Sequence, residues 1–169
     1  MKKVVSLFLV LIICVFAVGC EPVKYYFDVD VYGEQVEKIE LRYSELNGKP
    51  KTINISDGVV PEFHLNETTL VETLDTDKNM DFCNELALIP FHDFYDCVNK
   101  PFGYILVMYL SNSNYIVLSI TMKGKRRAYW IFAEFSVDEE FIQCFGRHGD
   151  KRKYDILMAK YFSSYVVEE

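Results

Sequence analysis

Alternation of apolar and polar side chains dominates the chain beyond its first twenty residues. Tyr25, Phe27, Val29 and Val31 alternate with Tyr26, Asp28 and Asp30, the period-two signature of a strand with one buried face. Ile39, Leu41 and Tyr43 alternate with Lys38, Glu40 and Arg42 and predict a second such strand. Asn47-Gly48 suits a two-residue hairpin turn, with Thr52-Ile53-Asn54-Ile55 as the returning strand. Asp57-Gly58 and Pro61 mark a loop, and Thr69 to Leu74 reads as a short strand. The period then changes. Asp75 or Thr76 can cap a helix running to about Ala87, with Met80, Cys83, Leu86 and Ala87 on one face. Residues 90–101 form a Pro-bounded, aromatic-rich connection.

Three strongly apolar strands follow, over 103–110, 115–122 and 128–135, joined by turns at Ser111–Asn114 and Lys123–Arg126. A shorter strand is expected around 140–145, after which Gly146 and Gly149 break the chain. Asp150 can cap a final helix reaching about Tyr165, with Tyr154, Leu157, Met158, Tyr161 and Tyr165 toward the sheet. Short turns between strands imply antiparallel pairing. Helices placed after runs of strands imply an α+β fold, a largely antiparallel sheet with two helices packed on one face.

The first twenty residues follow a different rule. Lys2 and Lys3 precede Val4–Val18, in which Ser6 is the only polar residue, and the first acid is Glu21. A positive start, an apolar run and small residues describe an export signal. Ala17-Val18-Gly19-Cys20 resembles the lipobox of bacterial lipoproteins, with Ala17 where Leu is commonest. The resemblance implies cleavage before Cys20 and a thioether link from its sulfur to diacylglycerol, with palmitate-type acyl chains as the membrane anchor. Two or three acyl chains hold a protein at a bilayer where one does not. The same residues also suit a small-x-small site of ordinary secretion, or an uncut anchor. The expected organisation is a signal peptide over 1–19, a short tether over 20–24 and a single α+β domain over 25–169.

From Val36-Glu37-Lys38-Ile39-Glu40-Leu41 through Leu74-Asp75-Thr76-Asp77-Lys78 to the C-terminal helix, the chain is similar to small lipoproteins of low-GC Gram-positive bacteria. That resemblance implies an extracytoplasmic face and brings no catalytic residues.

Charge narrows the partners. From Cys20 onward the chain carries 16 basic and 25 acidic residues, a net charge of −9. Nucleic acid, which demands a basic footprint, is therefore not an expected partner. An anionic membrane would repel such a domain, so the expected membrane link is the lipid on Cys20. Two basic clusters do occur, at Lys123, Lys125, Arg126 and Arg127 and at Arg147, Lys151, Arg152 and Lys153. They read as solvated turns, or as docking points for an acidic protein or a wall polymer. Cys83, Cys97 and Cys144 are an odd set, so at most one pair can form. No zinc spacing occurs, and no metal or cofactor is expected.

If Asn112-Ser113 and Gly124-Lys125 are two-residue turns, Ile105, Val107, Tyr109, Ile116, Leu118, Ile120, Tyr129, Ile131 and Phe135 share the helix-covered face. The opposite face then offers Tyr104, Met108, Tyr115, Trp130 and Phe132 as an aromatic binding surface. A one-residue slip at either turn swaps the faces of part of the sheet. His92, Asp93, Asp96 and Cys97 gather acid–base and thiol groups in one short segment, without a spacing that specifies a reaction. The expected function is a non-enzymatic binding or interaction module at the cell surface. The alternatives are a small enzyme or ligand carrier, and an inhibitor or immunity-type protein.

Overall fold

A computed structural model describes residues 24–45, 52–54, 63–93, 96–98, 103–123 and 127–167. The architecture is α+β. Among the described residues, ten strands are laid down in chain order: β1 Lys24–Tyr25, β2 Val36–Ser44, β3 Thr52–Asn54, β4 Thr68–Thr73, β5 Phe91–Asp93, β6 Asp96–Val98, β7 Gly103–Leu110, β8 Tyr115–Lys123, β9 Arg127–Phe135 and β10 Phe141–Gly149. Three α-helices accompany them among the described residues: α1 Val29–Tyr32, α2 Asn79–Leu86 and α3 Lys151–Tyr161. Eight strands form one sheet in the order β1-β5-β10-β9-β8-β7-β2-β4, antiparallel at every contact. β3 and β6 pair separately.

β7, β8 and β9 follow the three expected apolar runs, whereas β10 runs on to Gly149, through the Gly146 and Gly149 expected to break the chain, because it continues to pair with β9 and, from Arg147, with β5. The register of β7–β9 differs by one residue from the expected one. Tyr109 pairs with Tyr115 and Val107 with Val117, so three residues rather than two form the β7–β8 loop. Leu110 N–H donates to Asn114 O at 2.8 Å, Ser113 N–H donates to Leu110 O at 3.0 Å, and Ser113 sits at φ 70°. This is the three-residue hairpin in which the last loop residue turns left-handed. Lys123 pairs with Arg127, again one residue beyond the expected register.

The slip exchanges the faces. Leu106, Met108, Leu110, Ile116 and Leu118 join Ile39 and Leu41 under the helices, with Phe82, Cys83, Leu86, Tyr154, Leu157, Met158 and Phe162 packed onto them. Ile105, Val107, Tyr115, Val117 and Phe135 form a second core on the reverse face, closed by Phe63. A side chain with φ near +60° is strained where glycine is not. Ser113→Gly is therefore expected to stabilise the fold by about 0.5–1 kcal/mol. The check is a higher urea midpoint with an unchanged slope.

Four further differences separate the structure from those expectations. The alternating stretch 25–31 is not a long strand. Asp28 accepts a hydrogen bond from Val31 N–H at 3.1 Å and caps α1, so the backbone turns helical after β1. Phe27, Val29 and Tyr32 then pack on the helix-side core. Thr52–Asn54 pairs with Asp96–Val98 instead of returning onto β2; Asn47-Gly48 lies outside the described residues. The 90–101 connection contains β5 and β6. α2 starts at Asn79 after a single 3₁₀ turn, which rotates its buried face to Asn79, Phe82, Cys83 and Leu86 and leaves Met80 exposed.

The last helix forms as expected at its start, where Asp150 accepts from Arg152 N–H at 3.0 Å. It ends at Tyr161. Phe162 is buried and Tyr165 packs against the core beyond the helix. Glu72 of β4 accepts hydrogen bonds from Ser164 N–H at 2.8 Å and Ser163 N–H at 3.2 Å, fixing the C-terminal segment to the sheet. Burial opposes ionisation of Glu72, but those donors outweigh it and hold the carboxyl below its ordinary value.

Candidate functional site

The reverse face of the sheet combines aromatic rings with paired charges. Lys38, Glu40 and Arg42 alternate along β2 and stand beside Tyr109, Val107 and Ile105 of β7 in the register. Glu40 is only 5% exposed. Its carboxylate accepts from Arg42 Nη1 at 2.6 Å, from the Tyr109 hydroxyl at 2.8 Å and from Lys38 Nζ at 2.9 Å. Arg42 also donates through Nε to Thr68 Oγ1 at 2.6 Å, tying the group to β4. Lys38 Nζ lies 4.1 Å from the centroid of the Tyr109 ring.

Burial alone would raise the Glu40 pKa. Hydrogen bonds from Lys38, Tyr109 and Arg42 outweigh that penalty and hold it below the ordinary carboxylate value. Burial pushes Tyr109 well up, and its donation to Glu40 pushes it further. Glu40 thus accepts three hydrogen bonds and Tyr109 is a committed donor. Neither group is poised to exchange a proton near neutral pH.

Next along the face stands Tyr115, stacked on Phe135 with centroids 5.5 Å apart and flanked by Phe63 and Tyr109. Burial, with the negative charge of Glu139, pushes its pKa up to about 12. Its hydroxyl is buried and meets no hydrogen-bond partner among the described residues. Glu139 joins the β9–β10 loop to the segment carrying Phe63. It accepts from Leu65 N–H at 3.0 Å and lies 2.9 Å from His64 Nδ1.

The expected binding surface is not assembled in this way. Met108 is fully buried under the helices, and Tyr104 is half-buried against the same core. Tyr115 lies on the opposite face and is 4% exposed. The cause is the three-residue β7–β8 loop, which inverts β8 relative to β7. Trp130 and Phe132 take register positions opposite Ile120 and Leu118, and their side chains lie outside the described residues. The side chains of His92, Asp93, Asp96, Cys97, Cys144 and His148, and of the cluster Lys123–Arg127, also lie outside them. Lys151 forms an ion pair with Asp155 at 2.8 Å, while Arg152 and Lys153 are exposed.

Cys83 is a free thiol in the helix-side core, where burial pushes its pKa up to about 11. Among the described residues, no group of three or more His, Cys, Asp or Glu side chains is arranged to hold a metal ion. No helix among them is long and apolar enough to cross a membrane.

The residues of this buried network that the sequence did not single out are Glu40, Arg42 and Tyr109. A signal was present, since opposite charges at i and i+2 of one strand share a face. Their common partner Tyr109 depends on the register between strands. No protein-family model, curated protein or solved structure matches this chain.

Proposed function

We infer that this protein is an extracytoplasmic lipoprotein, anchored through Cys20, whose domain acts as a non-enzymatic interaction module. One observation carries the reading: the lipobox-like Ala17-Val18-Gly19-Cys20 ends four residues before Lys24, the first residue of β1. Four extended residues reach about 14 Å, so the folded domain would stand at the headgroup region. The buried Glu40 carboxylate, which already accepts three hydrogen bonds, favours a scaffolding role over proton-transfer catalysis. The partner class this reading favours is a surface protein or wall polymer.

The test replaces the sulfur that carries the lipid. In the native host, wild-type protein takes up labelled palmitate and fractionates with membranes. Cys20→Ser is expected to lose the label completely and to retain its uncleaved signal. Label persisting in Cys20→Ser, or unlabelled wild-type protein in the soluble fraction, overturns the anchor. In-cell crosslinking of the anchored protein then addresses the module: one stoichiometric partner supports it, and none in either form removes it.

A further inference from the structure

Strand register sets side by side two histidines that lie more than fifty residues apart in the chain. β5 pairs antiparallel with β10 through Asp93 with Arg147, His92 with His148 and Phe91 with Gly149. His92 and His148 therefore occupy one cross-strand position and share one face of the sheet. Phe91 is buried in the helix-side core, so that shared face is the reverse one. The irregularity in the β9–β10 ladder lies between Phe141 and Gln143, and pairing is continuous from Gln143 to Gly149. Lys24 of β1 and Tyr129 of β9 take the flanking register positions in the same row. The chain has three histidines, and the remaining one, His64, stands beside Glu139.

We propose that His92 and His148 form a site for one divalent transition-metal ion, shared between β5 and β10. Residues directly opposite in an antiparallel pair hold their Cβ atoms about 4.5–5.5 Å apart. From there two imidazoles can present nitrogens about 3.3 Å apart, the separation at a tetrahedral ion with bonds of about 2.0–2.1 Å. Two neutral rings offer two lone pairs to one cation, whereas two protonated rings facing each other repel. The flanking register positions are not carboxylates. Asp93 is one residue along and so belongs to the other face, and Asp150 is committed to capping α3. A hard ion such as Ca²⁺ or Mg²⁺ needs oxygen ligands, so this row does not serve it. Imidazole selects Zn(II), Ni(II) and Cu(II), with Cu(II) held most tightly. The pair fills two coordination positions and leaves the others to water or to a donor from a partner. β5 is only three residues long, and an ion shared with β10 clips it to the sheet. Because the ligands come from distant parts of the chain, the folded protein binds and the unfolded chain does not, and binding stabilises the fold. The site is independent of the anchor on Cys20.

The experiment uses the full-length protein in detergent, without an affinity tag, and Cu(II) alone as the probe. Electron paramagnetic resonance counts the nitrogens bound to the ion. Wild-type protein is expected to take up one Cu(II) with two imidazole nitrogens. His92→Gln and His148→Gln are each expected to weaken uptake by about tenfold or more, because each removes one of two ligands, while His64→Gln binds as wild type. Zn(II), which has no redox chemistry to disturb the thiols, is expected to raise the urea midpoint of wild-type protein and of neither His92→Gln nor His148→Gln. A wild-type Cu(II) spectrum with one nitrogen or none overturns the site whatever the variants do. Full uptake in either His92→Gln or His148→Gln, or an equal loss in His64→Gln, also overturns it.

Discussion

Phe82→Ala is expected to lower the unfolding free energy by about 3–5 kcal/mol, the range for a large buried side chain that leaves a cavity. Phe82 is fully buried on the inner face of α2. Its ring meets Tyr161 edge-on at 5.3 Å and Phe162 at 6.0 Å. It therefore joins α2, α3 and the residue that terminates α3 in one contact. Both helices are short, 8 and 11 residues, and helices of that length are marginal without tertiary packing. A domain of this size has only about 5–15 kcal/mol to lose. Urea unfolding followed by circular dichroism measures the change. Met80→Ala, on the same helix but 40% exposed, is expected to cost under about 0.5 kcal/mol. A Phe82→Ala loss below about 1 kcal/mol would show that α2 does not hold the helix layer to the sheet.

The strands that the sequence revealed are those whose stability is local in origin. β7, β8 and β9 are continuous apolar runs closed by turn residues, and they form within one residue of the expected limits. What the sequence left open was decided between elements. Asn112-Ser113 looks like a two-residue turn, yet Ser113 adopts the left-handed conformation and the loop takes three residues. One residue suffices to invert a strand, because side chains alternate with period two. Met108 and Tyr115, expected on one face, therefore stand on opposite faces of the sheet. Asp28 misled in another way. Its position in an alternating pattern suggested a strand, whereas its carboxylate competes locally by capping α1. The pairing of β3 with β6 joins segments more than forty residues apart and leaves no trace in either pattern.

Glu40→Ala is expected to cost about 3 kcal/mol, near the lower end for removing one partner of a buried ion pair. The loss comes mainly from what remains. The Arg42 side chain is 14% exposed and would keep its charge without its closest carboxylate. The Tyr109 hydroxyl would lose its acceptor. Lys38, 47% exposed, can turn to water and contributes little. Glu40→Gln preserves an acceptor while removing the charge, so a smaller loss of about 1–2 kcal/mol is expected. Exchanging both partners, Glu40→Leu with Arg42→Met, is expected to recover most of the Glu40→Ala loss, because no orphaned charge is left. pH supplies an independent check. The folded pKa of Glu40 lies below its ordinary 4.5, so its stabilising contribution is present above 4.5 and is lost as pH falls through the folded value. In that acid window the unfolded chain binds the extra proton, and stability rises with pH. Wild-type and Glu40→Gln unfolding free energies should therefore differ most at neutral pH and converge as pH falls below 4.5 through the folded value. A difference that stays constant from pH 7 to pH 3 would mean that the carboxylate's charge does not stabilise this face of the sheet.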